Sequence, residues 1–133
     1  MDIRHSNGQS AELYAAARIS EKGYNILWPT ITQIPYDFVA EKDGKFIRVQ
    51  VKKATSSKAG NFRYTQFRMT RGRTKQYNQR TVDIVAATDM RDVWVIPIVE
   101  CQDMTSVCLG SDNPAYKPYT TYDASKWLIN NFN

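Results

Sequence analysis

The stretch YDFVAEKDGKFIRVQVKK, residues 36–53, decides the fold. At its centre stands Asp43-Gly44, a pair that tolerates the positive φ angles of a two-residue hairpin turn. After the turn, Ile47, Val49 and Val51 alternate with Arg48, Gln50 and Lys52. That is the period-two pattern of a strand whose successive side chains point to opposite faces. One face is apolar and expected to be buried; the other carries a cation, an amide and a second cation in a row. Before the turn, Tyr36–Glu41 reads as the partner strand, opened by Asp37 thirteen residues before Gln50. A tight hairpin therefore sets Asp37 beside Gln50 and Lys52.

Working outward, AELYAAARISEK (residues 11–22) is rich in strong helix formers and puts Glu12, Ala15, Ala16 and Ile19 on one helical face. Glu12 thus lies on the apolar stripe rather than opposite it. Ser6 and Gln9 have the spacing of a capping box, and Gly23 is a natural stop. Tyr24–Trp28 reads as a short strand ended by Pro29. Val82–Ala87 and Val93–Val99 read as two more, turning around Asp89–Asp92, with Pro97 placing the last at an edge or bulge. The tail Asp123–Phe132 reads as a short helix capped by Asp123, with Trp127, Leu128 and Phe132 on its packing face.

The expectation is one α/β domain over residues 1–133: a mixed β-sheet core flanked by helices, over about residues 8–99. A basic segment at 54–80, ribbon-like around Arg71-Gly72, interrupts it, and residues 100–133 form a packing or oligomerisation segment. At 133 residues and 42% hydrophobic content the chain can bury one core. No apolar run has the length of a membrane span, and the N-terminus lacks the apolar centre of a signal peptide. Cys101 and Cys108 lack zinc-site or disulfide-framework spacing, which fits a reducing, cytoplasmic setting. His5 is the only histidine, which leaves little basis for histidine catalysis.

Charge is segregated. Residues 45–80 carry 11 basic and no acidic side chains, whereas the flanking segments 1–44 and 81–133 are each net acidic. A block without counter-charges repels itself, and a polyanionic partner relieves that repulsion. The plain alternative is a solvated face. Against it, six of the eleven are arginines, whose planar fork suits phosphates and base edges, and Phe62, Tyr64, Phe67 and Tyr77 are interleaved. Arg48, Lys53, Lys58, Arg63, Tyr64, Arg68, Arg71, Arg73, Lys75 and Arg80 are the candidate nucleic-acid contacts.

Phosphodiester hydrolysis needs a hard divalent cation, a positioned water and a cationic group at the attacked phosphate. Asp37 offers a carboxylate, the Gln50 amide oxygen a further hard ligand, and Lys52 a group to orient the water or offset phosphate charge. Glu12 can reach the same point from the helix covering the sheet. Singly these are weak signals, because strands often open with aspartate and a Q-x-K pair is usually a polar face.

Together, Pro35-Tyr36-Asp37, Gln50-Val51-Lys52 and the preceding helical Glu12 resemble the PD-(D/E)xK nuclease superfamily, with VDIVAATDMRDVWVIPI (residues 82–98) similar to its later strands. The likeness is strongest to bacterial group I intron homing endonucleases of that class, which also carry glutamine in place of the usual acid. Archaeal Holliday-junction resolvases have a similar helix–hairpin core. The resemblance implies a restriction-endonuclease-like αβββαβ-type core and catalysis by Glu12, Asp37, Gln50 and Lys52. It implies Mg²⁺ or Mn²⁺ held by Asp37, Gln50, Glu12 and the Val51 carbonyl, and double-stranded DNA as substrate. Gln50 departs from the usual motif and lowers the negative charge of the site by one.

Three readings follow: a sequence-specific homing-type endonuclease, a Holliday-junction resolvase or type II restriction-like enzyme with the same active site, and a non-catalytic nucleic-acid-binding module. Unpaired carboxylates facing DNA disfavour the last. One active site cuts one strand, so double-strand cleavage implies a homodimer or homotetramer, with Trp127–Phe132 or Cys101–Leu109 either as the contact or, equally, as ordinary core.

Overall fold

A computed structural model describes residues 3–69, 78–111 and 124–133. The elements in chain order are α1 (Ile3–Ser20), β1 (Asn25–Leu27), β2 (Phe38–Lys42), β3 (Lys45–Lys53), β4 (Thr55–Ala59), β5 (Phe62–Arg68), β6 (Ile84–Thr88), β7 (Val93–Pro97), α2 (Ile98–Cys101) and β8 (Ser106–Ser111). Two short 3-10 turns, Ala124–Trp127 and Ile129–Asn131, follow.

The Asp43-Gly44 hairpin forms as its chemistry dictates. Asp43 has φ 53° and Gly44 φ 81°, the sign pattern of the turn whose twist matches its strands. Phe38 pairs with Val49 and Lys42 with Lys45. β3 then pairs parallel with β6, Val49 beside Ile84, and β7 closes the sheet antiparallel to β6. The five-stranded order is β1-β2-β3-β6-β7. Pro97, which cannot donate to a ladder, ends the edge strand β7.

α1 packs its Ala11, Ala15, Ala16 and Ile19 face onto Phe38, Ala40, Val49 and Val51. Phe38 is fully buried there, and truncating such a side chain to alanine costs about 3–5 kcal/mol. The helix begins at Ile3, so Ser6 and Gln9 lie inside it and do not cap its start. Nothing in residues 3–9 breaks a helix, and the first turn simply propagates earlier. Gly23, at φ 92°, closes the helix with its amide on the Ser20 carbonyl, 2.9 Å away.

The other face of the sheet is also covered, by a second, three-stranded sheet of order β4-β5-β8. Phe67, Met69, Val107 and Leu109 pack there with Val85, Ala87, Trp94 and Ile96 in a second core. The described part of the β3-to-β6 connection is thus a β-hairpin lying across the sheet. Its turn falls at Gly60, with φ 63°; the ribbon turn expected around Arg71-Gly72 lies outside the described residues.

The tail folds back as 3-10 turns rather than an α-helix, and Asp123 lies outside the described residues. Leu128 bridges to Trp94, and Phe132 stacks on Tyr24 with ring centroids 5.3 Å apart. Cys101, Val107 and Leu109 are likewise buried in the second core. Both candidate stretches therefore pack against their own domain.

Candidate active site

The hairpin and α1 bring Asp37, Glu12 and the distal half of β3 together. With Phe38 opposite Val49, the next antiparallel step sets Asp37 across from Gln50. Two hydrogen bonds fix it: the Asp37 amide donates to the Val49 carbonyl at 2.8 Å, and the Val51 amide donates to Asp37 Oδ2 at 2.7 Å. Asp37 is thereby clamped, backbone and side chain, to the strand carrying Gln50 and Lys52.

Glu12 comes from the helix, on the edge of the stripe that buries Ala11, Ala15 and Ala16. Its carboxyl hydrogen-bonds Asp37. Burial first, and then the neighbouring Asp37 charge, push the Glu12 carboxyl up to about 7. Burial raises the Asp37 carboxyl too, opposed by the Val51 amide, the Glu12 hydrogen bond and the Lys52 charge. Each carboxyl therefore holds its proton more tightly than an isolated one would. This is how like charges at close range behave when no cation separates them.

Gln50 is only 8% exposed, which corrects the expectation of an open polar face. Its ladder neighbour on β6 is Val85, and Lys52's is Ala87; both neighbours belong to the second core. The amide donates through Nε2 to the Val51 carbonyl at 3.2 Å, which leaves the amide oxygen as the end that can meet a cation. Lys52 is half-buried and close enough to Asp37 to lower its proton affinity.

A hard divalent cation fits this donor set. Two carboxylates, an amide oxygen and a main-chain carbonyl are all oxygen ligands suited to Mg²⁺ or Mn²⁺, and the proximity of Glu12 to Asp37 raises the proton affinity of Glu12, as expected where positive charge is favoured. Among the described residues no three His, Cys, Asp or Glu side chains come together. Cys101 offers no rival nucleophile: burial pushes its thiol up to about 12.

The basic candidates separate. Lys53, Lys58, Arg63, Arg68 and Arg80 are exposed and Tyr64 half-buried, whereas Arg71, Arg73 and Lys75, and Tyr77 among the aromatics, lie outside the described residues. Arg63 and Arg68 are five residues apart on one strand. The irregularity in β5–β8 pairing falls on the β8 side, where Thr65 and Gln66 face Gly110 and Cys108. The two arginines therefore project from opposite faces of the ribbon.

Arg48 is engaged elsewhere. Its Nε donates to Asp83 Oδ2 at 3.0 Å, its Nη2 to Asp83 Oδ1 at 3.0 Å, and its Nη1 to the Arg80 carbonyl at 2.7 Å. Asp83 escaped the sequence reading. Its one signal there was its place, the first acid after the 39-residue span 44–82 with none.

The chain as a whole matches a known family. The PD-(D/E)XK endonuclease profile covers residues 3–118 of the chain. The chain belongs to the PD-(D/E)XK endonuclease family. It is similar to Protein 5.3 of Escherichia phage T7, 33% identical over 117 residues, spanning 88% of this chain and 99% of the relative. Its fold is shared with a solved bacterial homing endonuclease, I-Ssp6803I, at TM-score 0.59 and 24% identity, over 77% of this chain and 71% of the other. As a PD-(D/E)XK family member it is a nuclease with an α/β core. No helix among its described residues is long and apolar enough to cross a membrane.

Proposed function

We propose that this PD-(D/E)XK nuclease hydrolyses phosphodiester bonds in duplex DNA at Glu12, Asp37, Gln50 and Lys52, with sequence specificity of the homing type. The observation carrying the reading is the clamped Asp37, tied at 2.7 Å to the Val51 amide and hydrogen-bonded to Glu12. A divalent cation, held by Asp37, Glu12 and the Gln50 oxygen with the Val51 carbonyl as a further donor, would supply Lewis acidity at the phosphate and a water of lowered pKa. Lys52 places an ammonium beside Asp37, where it orients the attacking water and offsets charge on the pentavalent phosphate. The rigid β2–β3 ladder holds these groups in register, so no chain movement is needed to assemble them. Double-strand cleavage calls for a homodimer or homotetramer.

The test is incubation with supercoiled plasmid, linear duplex and a four-way junction, with and without Mg²⁺. Cleavage of plasmid and duplex at discrete sites, dependent on Mg²⁺, is expected. Cleavage confined to the junction would shift the assignment to the resolvase reading. One observation favours that second reading: Arg63 and Arg68 on opposite ribbon faces cannot read one groove together. No cleavage of any substrate in Mg²⁺ or Mn²⁺, with DNA binding intact, would leave the binding-module reading.

A further inference from the structure

We propose that Arg48 is a positioning residue that fixes the downstream end of the basic segment to the catalytic strand, and that Arg80 is the DNA-phosphate contact it places. The inference rests on the duplex-DNA nuclease reading and names a working part of it. Arg48 lies on β3, two residues before Gln50 and four before Lys52.

One Asp83 carboxylate accepts three hydrogen bonds from Arg48: from its backbone amide at 2.7 Å, from Nε at 3.0 Å and from Nη2 at 3.0 Å. The Asp83 amide returns one to the Arg48 carbonyl at 3.0 Å. The same guanidinium then reaches past Asp83 to the carbonyls of Arg80, at 2.7 Å, and Gln79, at 3.2 Å. A planar fork with five donors can bridge a carboxylate and two main-chain carbonyls at once; an ammonium on a flexible stem cannot hold that geometry.

Further bonds lock the anchored turn. The Arg80 amide donates to Asn78 Oδ1 at 2.9 Å, the Val82 amide to the Asn78 carbonyl at 2.9 Å, and the Gln79 amide to Gln102 Oε1 at 3.1 Å. Arg80 itself is exposed, and its carbonyl is held by the strand that presents the catalytic groups. A cation fixed in this way sits at a set distance from the site of cleavage. Such a contact converts binding into correct phosphate placement.

The experiment is a double-mutant cycle on DNA binding and cleavage, with Arg48→Lys and Arg48→Ala crossed with Arg80→Ala. Equilibrium binding to linear duplex is measured across a salt series in Ca²⁺, and cleavage in Mg²⁺. Arg80→Ala is expected to flatten the slope of log K against log salt by about one unit. Arg48→Lys, which keeps the charge, should flatten it equally and raise KM. The double variant should be no worse than either single, the non-additivity expected of residues acting as one unit. Circular dichroism checks the fold, and Arg48→Lys keeps the test valid should Arg48→Ala fail to fold. Additive effects, or an unchanged slope in Arg48→Lys, would overturn the positioning role while wild-type cleavage left the nuclease reading standing. A wild-type protein that neither binds nor cuts DNA would overturn both.

Discussion

Asp37 and Glu12, 25 positions apart in the chain, meet as a hydrogen-bonded carboxyl pair because a helix crosses the open end of a hairpin. Asp37 is held from the other side by the Val51 amide. The raised proton affinity of both carboxyls has consequences for activity, for pH and for cations.

Asp37 is the carboxylate most firmly placed against β3. Asp37→Asn is expected to abolish cleavage in Mg²⁺, a loss of at least a thousandfold. DNA binding, read by gel shift in Ca²⁺, should be unchanged or tighter, since one repulsive charge is gone. Near wild-type cleavage by Asp37→Ala would remove Asp37 from the site.

The Glu12 shift makes stability depend on pH and on divalent cation. Its carboxyl titrates at about 7 in the folded chain against an ordinary value of 4.5, so the folded state binds that proton more tightly than the unfolded one. The stabilisation is full below pH 4.5 and is lost as pH rises through 7. In chelator-treated protein the melting temperature should therefore fall between pH 4.5 and pH 7, and Glu12→Gln should flatten that fall. At pH 8, Mg²⁺ at a hundred times its Kd should restore about 2.7 kcal/mol in wild type and much less in Glu12→Gln. Equal stabilisation of both would place the cation elsewhere.

Gln50 separates a ligand from a packing residue. Gln50→Glu should keep activity or shift the preference between Mg²⁺ and Mn²⁺, because a carboxylate oxygen replaces the amide oxygen in place. Gln50→Ala should lose most activity and some stability, roughly 1–3 kcal/mol for truncating a buried hydrogen-bonded side chain. Full activity in Gln50→Ala, measured beside its melting curve, would reduce Gln50 to a packing role.

Lys52 acts on Asp37 through charge. Removing its ammonium by Lys52→Ala should slow cleavage about a hundredfold or more. It should also raise the Asp37 carboxyl further, since the Lys52 charge is one of the groups holding it down. The acidic limb of the pH–rate profile should move to higher pH in Lys52→Ala. An unchanged limb together with an unchanged rate would leave Lys52 as a surface residue of the strand.

The amino-acid sequence by itself determined the hairpin that carries Asp37, Gln50 and Lys52. Asp43-Gly44 permits one tight turn, and the strict alternation of Ile47, Val49 and Val51 with Arg48, Gln50 and Lys52 fixes which residues share a face. Because pairing in a hairpin is set by the turn, the neighbourhood of Asp37 with Gln50 follows from local chemistry alone. The helix stripe placing Glu12 toward the sheet is likewise a matter of periodicity.

Only the tertiary structure decided what covers the far face. The small sheet of β4, β5 and β8 pairs residues of β5 and β8 that lie 38 to 47 positions apart, and no local pattern announces that pairing, so Gln50 reads as exposed in sequence and is buried in the fold. The same holds for Arg48. Its neighbours in sequence are the cations of the acid-free basic block, but β6 runs parallel to β3 and delivers Asp83 from 35 residues away. A parallel pairing is made by a long connection whose course is set by packing, so the partner that gives Arg48 its role exists only once the chain has folded.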